Sequence, residues 1–327
     1  MKSVEHIDYI DFARVLGLFL MVVGHQQLLS QDLTTLIFSF HMPLFFILSG
    51  MFHKSKPLEI TLKKVYKTLL FPFLIIASSW CIFYLFLLIR KNIVDINYVY
   101  HVLGTFISPG KVLGCLSPYC IFIWFLLALA VIKVITTRFS GKRPLILLAI
   151  CSIVIFFIHQ RLFPWGGVLS IDSALLALPF YVIGFIMKDY VLTQTYSYKK
   201  SIIVMLSCML LTLFLSRYNG VVDINNCKYG DNLLLFYVTG VLGSLSIIEL
   251  ARVKCQYISN SKFTLIMVSG ATIIIGYSAY TTDIIKTICP ILCNSNWGGL
   301  LIGIIVMLTL FPVILLLKKY YPQVLGK

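Results

Sequence analysis

Charged residues are scarce in this chain. Asp, Glu, Lys and Arg make up 12% of its 327 residues, whereas soluble domains carry roughly 25%. Hydrophobic residues make up 59%, and the mean hydropathy is +0.95. This composition excludes a soluble enzyme and predicts a polytopic integral membrane protein of the all-α class.

Acidic residues are especially few. Twelve Asp and Glu stand against 27 Lys and Arg, which gives a formal net charge of +15. In a soluble protein this excess would suggest nucleic-acid binding. Here no basic run is interleaved with aromatic residues on a soluble face, and a membrane protein is expected to collect Lys and Arg in its cytoplasmic loops. The sequence therefore predicts no nucleic-acid partner.

Several motifs of soluble enzymes and transporters are missing. The chain has no Gly-x-Ser-x-Gly elbow, no P-loop and no glycine-rich dinucleotide fingerprint. Its cysteines and histidines form no cluster with zinc-ligand spacing, so we predict no metal site. The sequence shows no internal repeat, which argues against a standard secondary transporter. Because it shows no soluble segment either, residues 1–327 are predicted to form a single transmembrane domain.

Ten apolar segments are predicted to cross the bilayer as helices. Loop charge orients them, because 19 Lys and Arg fall in the loops on one side and seven in the loops on the other. The basic side is expected to be cytoplasmic, so both termini are predicted to lie in the cytoplasm. The ten predicted helices, which would form one bundle, cover residues 10–29, 36–53, 69–89, 119–137, 144–160, 172–188, 200–217, 232–250, 263–281 and 298–317.

The first predicted helix carries Arg14 and His25 within an apolar run. Ionisable residues inside a membrane helix are costly, which suggests a function. Eleven residues at ~100° each end ~20° past three turns, so both side chains project from nearly one face, ~16 Å apart along the axis. We interpret this stripe as a path from one membrane surface to a base near the middle of the bilayer.

Each of these two residues has a functional and a structural interpretation. A neutral His25 can accept a proton from a hydroxyl and return it to a leaving group, or it can simply bond a neighbouring helix. Arg14 can bind an anionic or carbonyl group of a ligand arriving from the cytoplasm, or it can reach the interface beside a carboxylate. Asp11, three residues earlier, is the predicted ion-pair partner of Arg14.

The second predicted helix contains a proline. Pro43 cannot donate a backbone hydrogen bond, so we expect it to kink or break the helix, and broken helices are tolerated where they line a cavity. His41, two residues earlier, is a candidate for that cavity. The alternative is that His41 caps the helix near the outer interface.

Three lysines precede the third predicted helix. Lys63, Lys64 and Lys67 are spaced to share one helical face, so they can form a patch that binds phosphate groups. The competing interpretation is that they only mark the cytoplasmic side of the membrane.

Together these motifs resemble the acyltransferase 3 family of membrane acyltransferases. The resemblance rests on Arg14 and His25, eleven residues apart, and on the segment Phe40-His-Met-Pro-Leu-Phe-Phe-Ile-Leu-Ser-Gly50. The lysine-rich segment ending at Pro72 and the segments 124–126 and 178–188 support it. The resemblance covers residues 5–190, and only the hydropathy pattern continues beyond them.

The resemblance implies transfer of an acyl group, most simply acetyl, from cytoplasmic acyl-CoA to a hydroxyl on a bacterial surface polysaccharide or lipid-linked glycan. It places the protein in the cell inner membrane and makes Arg14 and His25 the essential pair, with Asp11 and His41 as possible support. Family members carry two arginines, three residues apart, near the place where this chain has Lys64 and Lys67. The resemblance implies that the lysines, Lys63, Lys64 and Lys67, bind the CoA phosphates. A glycan or lipid-precursor transporter, with Arg14 and His25 as a substrate relay, and a non-catalytic membrane subunit are the competing hypotheses.

Overall fold

The computed structural model describes residues 7–26, 30–109, 116, 118–164, 166–193, 197–255, 262–294 and 297–326. Most of these residues are helical, and the two strands among them, β1 (Val222–Asp223) and β2 (Lys228–Tyr229), form a short hairpin. The helices are α1 (Asp8–Gly24), α2 (Gln31–Met51), α3 (Leu58–Val65), α4 (Phe71–Arg90), α5 (Tyr98–Ile107), α6 (Trp124–Thr136), α7 (Lys142–Leu162), α8 (Ile171–Thr193), α9 (Tyr198–Asn219), α10 (Leu233–Cys255), α11 (Lys262–Ser269), α12 (Ala271–Ile288) and α13 (Gly298–Tyr320).

The structure confirms an all-α membrane protein, but it does not confirm ten spanning helices. In the described part of the chain, seven helices are long and apolar enough to cross a bilayer. The count becomes eight if α11 and α12, which meet at an angle of 82°, form one broken span. The location of the termini and the single domain over residues 1–327 stay predictions.

The two remaining predicted spans correspond to helices that are too short. The segment 10–29 contains α1, which has 17 residues and a length of ~25 Å, and 119–137 contains α6, with 13 residues and ~20 Å. The hydrocarbon core is about 30 Å thick. Apolar composition alone does not show where a helix ends, because residues 119–123 are all apolar or aromatic but lie before the start of α6.

The chain divides into two compact units. The first unit contains Met1–Phe52, Ile183–Asp223 and Tyr229–Tyr320. Within it, α10 packs against α1, α2 and α9, while α1 also contacts α2 and α13. The apolar face of α1 is thus covered by helices that lie far apart in the sequence.

The second unit contains His53–Val182, Ile224–Lys228 and Tyr321–Lys327. Helices α3 and α4 are continuous through a π-helical segment, Tyr66–Leu70, and run as one 33-residue helix. A buried histidine links distant parts of this unit. His53 lies 3.0 Å from the Tyr181 hydroxyl through Nδ1 and 3.0 Å from the Phe139 carbonyl through Nε2, so both ring nitrogens have partners.

The expected break at Pro43 is wrong. Helix α2 runs without interruption from Gln31 to Met51, with Pro43 buried inside it. A single missing N–H removes one hydrogen bond from a 21-residue helix, and packing on the neighbouring helices preserves the rest. The alternative that His41 caps a helix is also wrong, because His41 is the middle residue of α2.

Candidate functional site

Close packing between α1 and α2 brings the candidate residues together. A Cβ atom added to Gly17 would meet Leu44 at 2.9 Å, and one added to Gly24 would meet Ile37 at 2.8 Å. Only glycine allows the two helices to approach this closely. His25 follows Gly24 directly, and it therefore lies beside the turn of α2 that begins at Ile37.

His25 lies at the end of α1 rather than in its middle. The helix stops at Gly24, and the His25 backbone N–H closes the last turn by donating to the Met21 carbonyl at 3.2 Å. The imidazole is exposed. The predicted helix end at residue 29 is thus wrong, because α1 ends at Gly24, and residues 27–29 lie outside the described residues.

Two aromatic rings of α2 pack against the His25 ring. Ring centroids are 5.1 Å apart for His25 and Phe38, and 6.0 Å apart for His25 and His41, both with edge-on geometry. Phe38 and His41 also contact each other, at 5.0 Å. We call this group of three rings the imidazole cluster. It fixes the plane of the exposed His25 ring between a phenyl edge and a second imidazole.

His41 has a defined proton position. Its Nδ1 lies 2.9 Å from the Ile37 carbonyl oxygen, which can only accept a hydrogen bond, so Nδ1 carries the hydrogen. In a neutral ring, Nε2 then carries the lone pair. His41 is 2% exposed, so it acts within the cluster rather than at the surface.

Two further residues outside α2 act on the end of α1. The carboxylate of Asp223, in β1, interacts electrostatically with His25. Gln26 is buried and donates hydrogen bonds to the Val22 carbonyl at 3.0 Å and to the Thr282 hydroxyl at 3.1 Å. Gln26 thereby ties the residue after His25 to α12. Desolvation by the surrounding protein lowers the pKa of His25 to about 4, which favours the neutral ring, and the negative charge of Asp223 opposes part of this shift.

Arg14 forms the predicted ion pair. Its Nη1 donates to Asp11 Oδ1 at 2.9 Å, and the guanidinium carbon lies 5.4 Å from the centroid of the Phe52 ring. The Asp11 side chain is 3% exposed, whereas the Arg14 side chain is 33% exposed. A guanidinium has five N–H donors, so the partly open Arg14 keeps donors for a ligand.

The three lysines belong to the second unit, and all are exposed. Lys63 forms an exposed ion pair with Glu59, with 2.7 Å between Nζ and Oε1. Lys63 and Lys64 lie in the last turn of α3, and Lys67 lies in the π-helical segment that follows it.

The sequence analysis missed a second ion pair, which lies beside the first turn of α1. Arg252 and Glu249 of α10 are 2.7 Å apart and almost fully buried, with 8% and 1% of their side chains exposed. Arg252 also donates to the Val191 carbonyl at 2.6 Å and lies 5.0 Å from the centroid of the Tyr9 ring. The Tyr9 hydroxyl donates to the same carbonyl at 2.8 Å. This network anchors the first turn of α1, from which Asp11 and Arg14 project.

Loss of one partner of this buried pair is expected to destabilise the protein strongly. Arg252→Ala leaves the Glu249 carboxylate buried without its cation, which costs about 3–5 kcal/mol. The double variant Glu249→Leu/Arg252→Met removes both charges and should recover most of that loss. Thermal unfolding of the purified protein in detergent checks this, and an Arg252→Ala melting temperature equal to wild type would contradict it.

The arrangement on α1 is suited to proton transfer beside an anchored anion. It offers an exposed imidazole held by aromatic rings, a nearby carboxylate and a half-open guanidinium. Among the described residues, no three of His, Cys, Asp and Glu come together as metal ligands. The chemistry available at α1 is therefore that of a general base and a cationic binding group.

Comparison with known proteins gives one match. The family model of the acyltransferase domain matches residues 7–319, which is nearly the whole chain. No curated protein and no solved structure matches the chain.

Proposed function

Because the chain belongs to the acyltransferase domain family and is a membrane acyltransferase, we propose that it transfers an acetyl group from cytoplasmic acetyl-CoA to a hydroxyl of a bacterial surface polysaccharide or lipid-linked glycan. The multi-pass architecture supports a location in the inner membrane, where a cytoplasmic donor and an exported acceptor can both be reached. The observation that carries the proposal is the imidazole cluster, in which two rings of α2 hold His25 at the end of α1, the helix that also bears Arg14.

His25 is the proposed base. An imidazole nitrogen takes the proton of the acceptor hydroxyl while the hydroxyl oxygen attacks the thioester carbonyl carbon. The carbon–sulfur bond then breaks, and the CoA thiolate leaves with the proton returned by the imidazolium. If His25 accepts the acetyl group first, the same nitrogen lone pair attacks the thioester carbonyl carbon and the CoA thiolate leaves. The acceptor oxygen then attacks the acetyl carbon, the carbon–nitrogen bond breaks, and the freed imidazole takes the hydroxyl proton. Both routes need an uncharged, accessible His25.

Arg14 binds a different part of the donor. The helix places Arg14 and His25 ~16 Å apart along its axis, so one thioester carbonyl does not reach both. Acetyl-CoA is long, with phosphates separated from the thioester by the pantetheine arm. We assign Arg14 to the binding of an anionic or carbonyl group of the donor away from the thioester. The guanidinium hydrogen-bonds that group with N–H donors that are not used by Asp11.

His41 and Asp223 have supporting roles in this mechanism. The carboxylate of Asp223 stabilises the imidazolium that forms when His25 takes a proton. The hydrogen of His41 is fixed on Nδ1 by the Ile37 carbonyl. The His41 ring packs edge-on against the His25 ring and holds it in place.

Lys64 and Lys67 are the proposed contacts for the CoA phosphates. Both are exposed, whereas Lys63 is paired with Glu59. Lysine keeps the positive charge that phosphate requires, although it lacks the planar fork of arginine.

The double variant Lys64→Ala/Lys67→Ala is expected to raise the apparent KM for acetyl-CoA about three- to tenfold with little change in kcat, because only ground-state phosphate contacts are lost. Lys63→Ala is the matched control and should leave KM close to wild type. An unchanged KM in the double variant would leave these lysines as markers of membrane orientation.

Purified protein in proteoliposomes tests the proposed reaction. With acetyl-CoA and de-O-acetylated polysaccharide from cells that lack this protein, we expect free CoA and acetylated polysaccharide in equal amounts. A transporter would release no CoA. A non-catalytic subunit would leave cellular glycan acetylation intact when His25 is replaced by alanine.

A further inference from the structure

A histidine and an aspartate meet in the second unit, in a place that the mechanism does not use. His159 lies near the end of α7 and Asp172 in the first turn of α8. His159 Nδ1 and Asp172 Oδ1 are 2.6 Å apart, although they are not well aligned for a hydrogen bond. The other carboxylate oxygen accepts the Gly167 backbone N–H at 2.5 Å. Asp172 is 1% exposed, so its carboxylate is held in place.

The imidazole is enclosed by groups that fix its orientation. A Cβ atom added to Gly167 would meet Ile171 Cγ2 at 2.5 Å, His159 Cε1 at 2.8 Å and Asp172 Oδ2 at 3.3 Å, so the imidazole and Ile171 both pack against a position where only glycine leaves room. On another side, the ring centroid lies 4.9 Å from that of Phe163. Gly167 and Phe163 thus orient the ring in addition to Asp172.

The contact with Asp172 determines which nitrogen carries the hydrogen. Two lone pairs do not approach to 2.6 Å, and an ionised carboxylate has no hydrogen, so Nδ1 carries the hydrogen that faces Asp172. In a neutral ring, Nε2 then keeps the lone pair. No polar partner for Nε2 is found in the described residues, and the His159 side chain is 20% exposed. Nε2 is thus an accessible acceptor that selects a hydrogen-bond donor, while the Asp172 charge disfavours an anionic ligand.

A second polar group in the same segment also has no hydrogen-bond partner in the described chain. The Ser170 hydroxyl is buried, and its residue has a left-handed φ of +56°. The sequence predicts that the connection between α7 and α8 lies on the outer side of the membrane, where exported glycans are found.

We propose that His159, oriented by Asp172 and Gly167, is a binding residue for a hydroxyl of the acceptor glycan. Its Nε2 accepts the hydrogen of that hydroxyl. This assignment rests on the proposed acetyl transfer to a glycan and adds a site for the acceptor to it.

Calorimetric titration with polysaccharide tests the site without turnover. The probe is the de-O-acetylated polysaccharide, and the protein is the full chain in nanodiscs. We expect His159→Ala to weaken binding about three- to tenfold, the effect of losing one neutral hydrogen bond. Gly167→Ala should weaken it in the same direction, because the methyl group displaces the ring. His101→Ala is the matched control, since His101 also lies near an aspartate in this unit and should bind like wild type.

Kinetics provide the readout that a purely structural pair would not give. We expect His159→Ala to raise the KM for polysaccharide and leave the KM for acetyl-CoA unchanged. Equal polysaccharide binding by wild type and His159→Ala, or no binding by wild type, would overturn the site. Binding that depends on His159 without CoA release would keep the site and reject the acetyl transfer, so the two failures are distinguishable.

Discussion

Replacing His25 with alanine is expected to lower the rate of acetyl transfer about 10²- to 10⁴-fold, the usual contribution of a general base. His25 supplies the nitrogen lone pair at the end of α1, and Phe38 and His41 fix the plane of its ring. His25 is exposed, so its removal leaves no buried cavity, and the variant should fold normally.

Transfer of radiolabel from acetyl-CoA to polysaccharide measures this effect. The His25→Ala protein must elute from size exclusion like wild type for the comparison to count. His101→Ala, a histidine replacement in the other unit, should retain full activity. Normal activity in His25→Ala would remove His25 from the mechanism.

Replacing Arg14 with alanine is expected to lower kcat/KM for acetyl-CoA about 10- to 100-fold, because charge-assisted hydrogen bonds to the donor are lost. The same change removes the ion pair between Arg14 and Asp11, whose side chain is 3% exposed. Arg14→Ala should therefore also lower stability, by less than a fully buried pair would, because the Arg14 side chain is one-third exposed and solvent screens its charge.

Two companion variants separate these effects. Asp11→Asn/Arg14→Ala also removes the charge of the buried Asp11 carboxylate, and should regain stability without regaining activity. Arg14→Lys keeps the charge but loses the planar fork, so it should fold well and recover activity only in part. Full activity in the double variant would show that Arg14 acts only as the partner of Asp11.

Local sequence patterns predicted the parts of the structure that are set by local rules. Each predicted span overlaps at least one helix, and the spacing of three residues predicted the ion pair between Asp11 and Arg14. These features depend on helix periodicity and hydrophobicity, which a single sequence displays. Helix ends were less well predicted, as α1 shows, because composition does not report the hydrogen bonds that close a last turn.

Contacts between distant segments could not be predicted in the same way. Glu249 with Arg252 is a spacing of three residues and was visible as a pair, but its burial against Tyr9 depends on how α10 packs on α1. The contact of His25 with His41 depends on Gly24, whose close approach to Ile37 has no periodic signature. The break expected at Pro43 was wrong because the packing of α2 against its neighbours outweighs the loss of one backbone hydrogen bond.

The most direct test is mass spectrometry of the surface glycan from three strains: wild type, a strain lacking this protein, and a strain carrying His25→Ala at normal membrane abundance. The account predicts a glycan with about one additional acetyl group per repeat in wild type alone. An acetylated glycan in the His25→Ala strain, or identical glycans in all three, would contradict it.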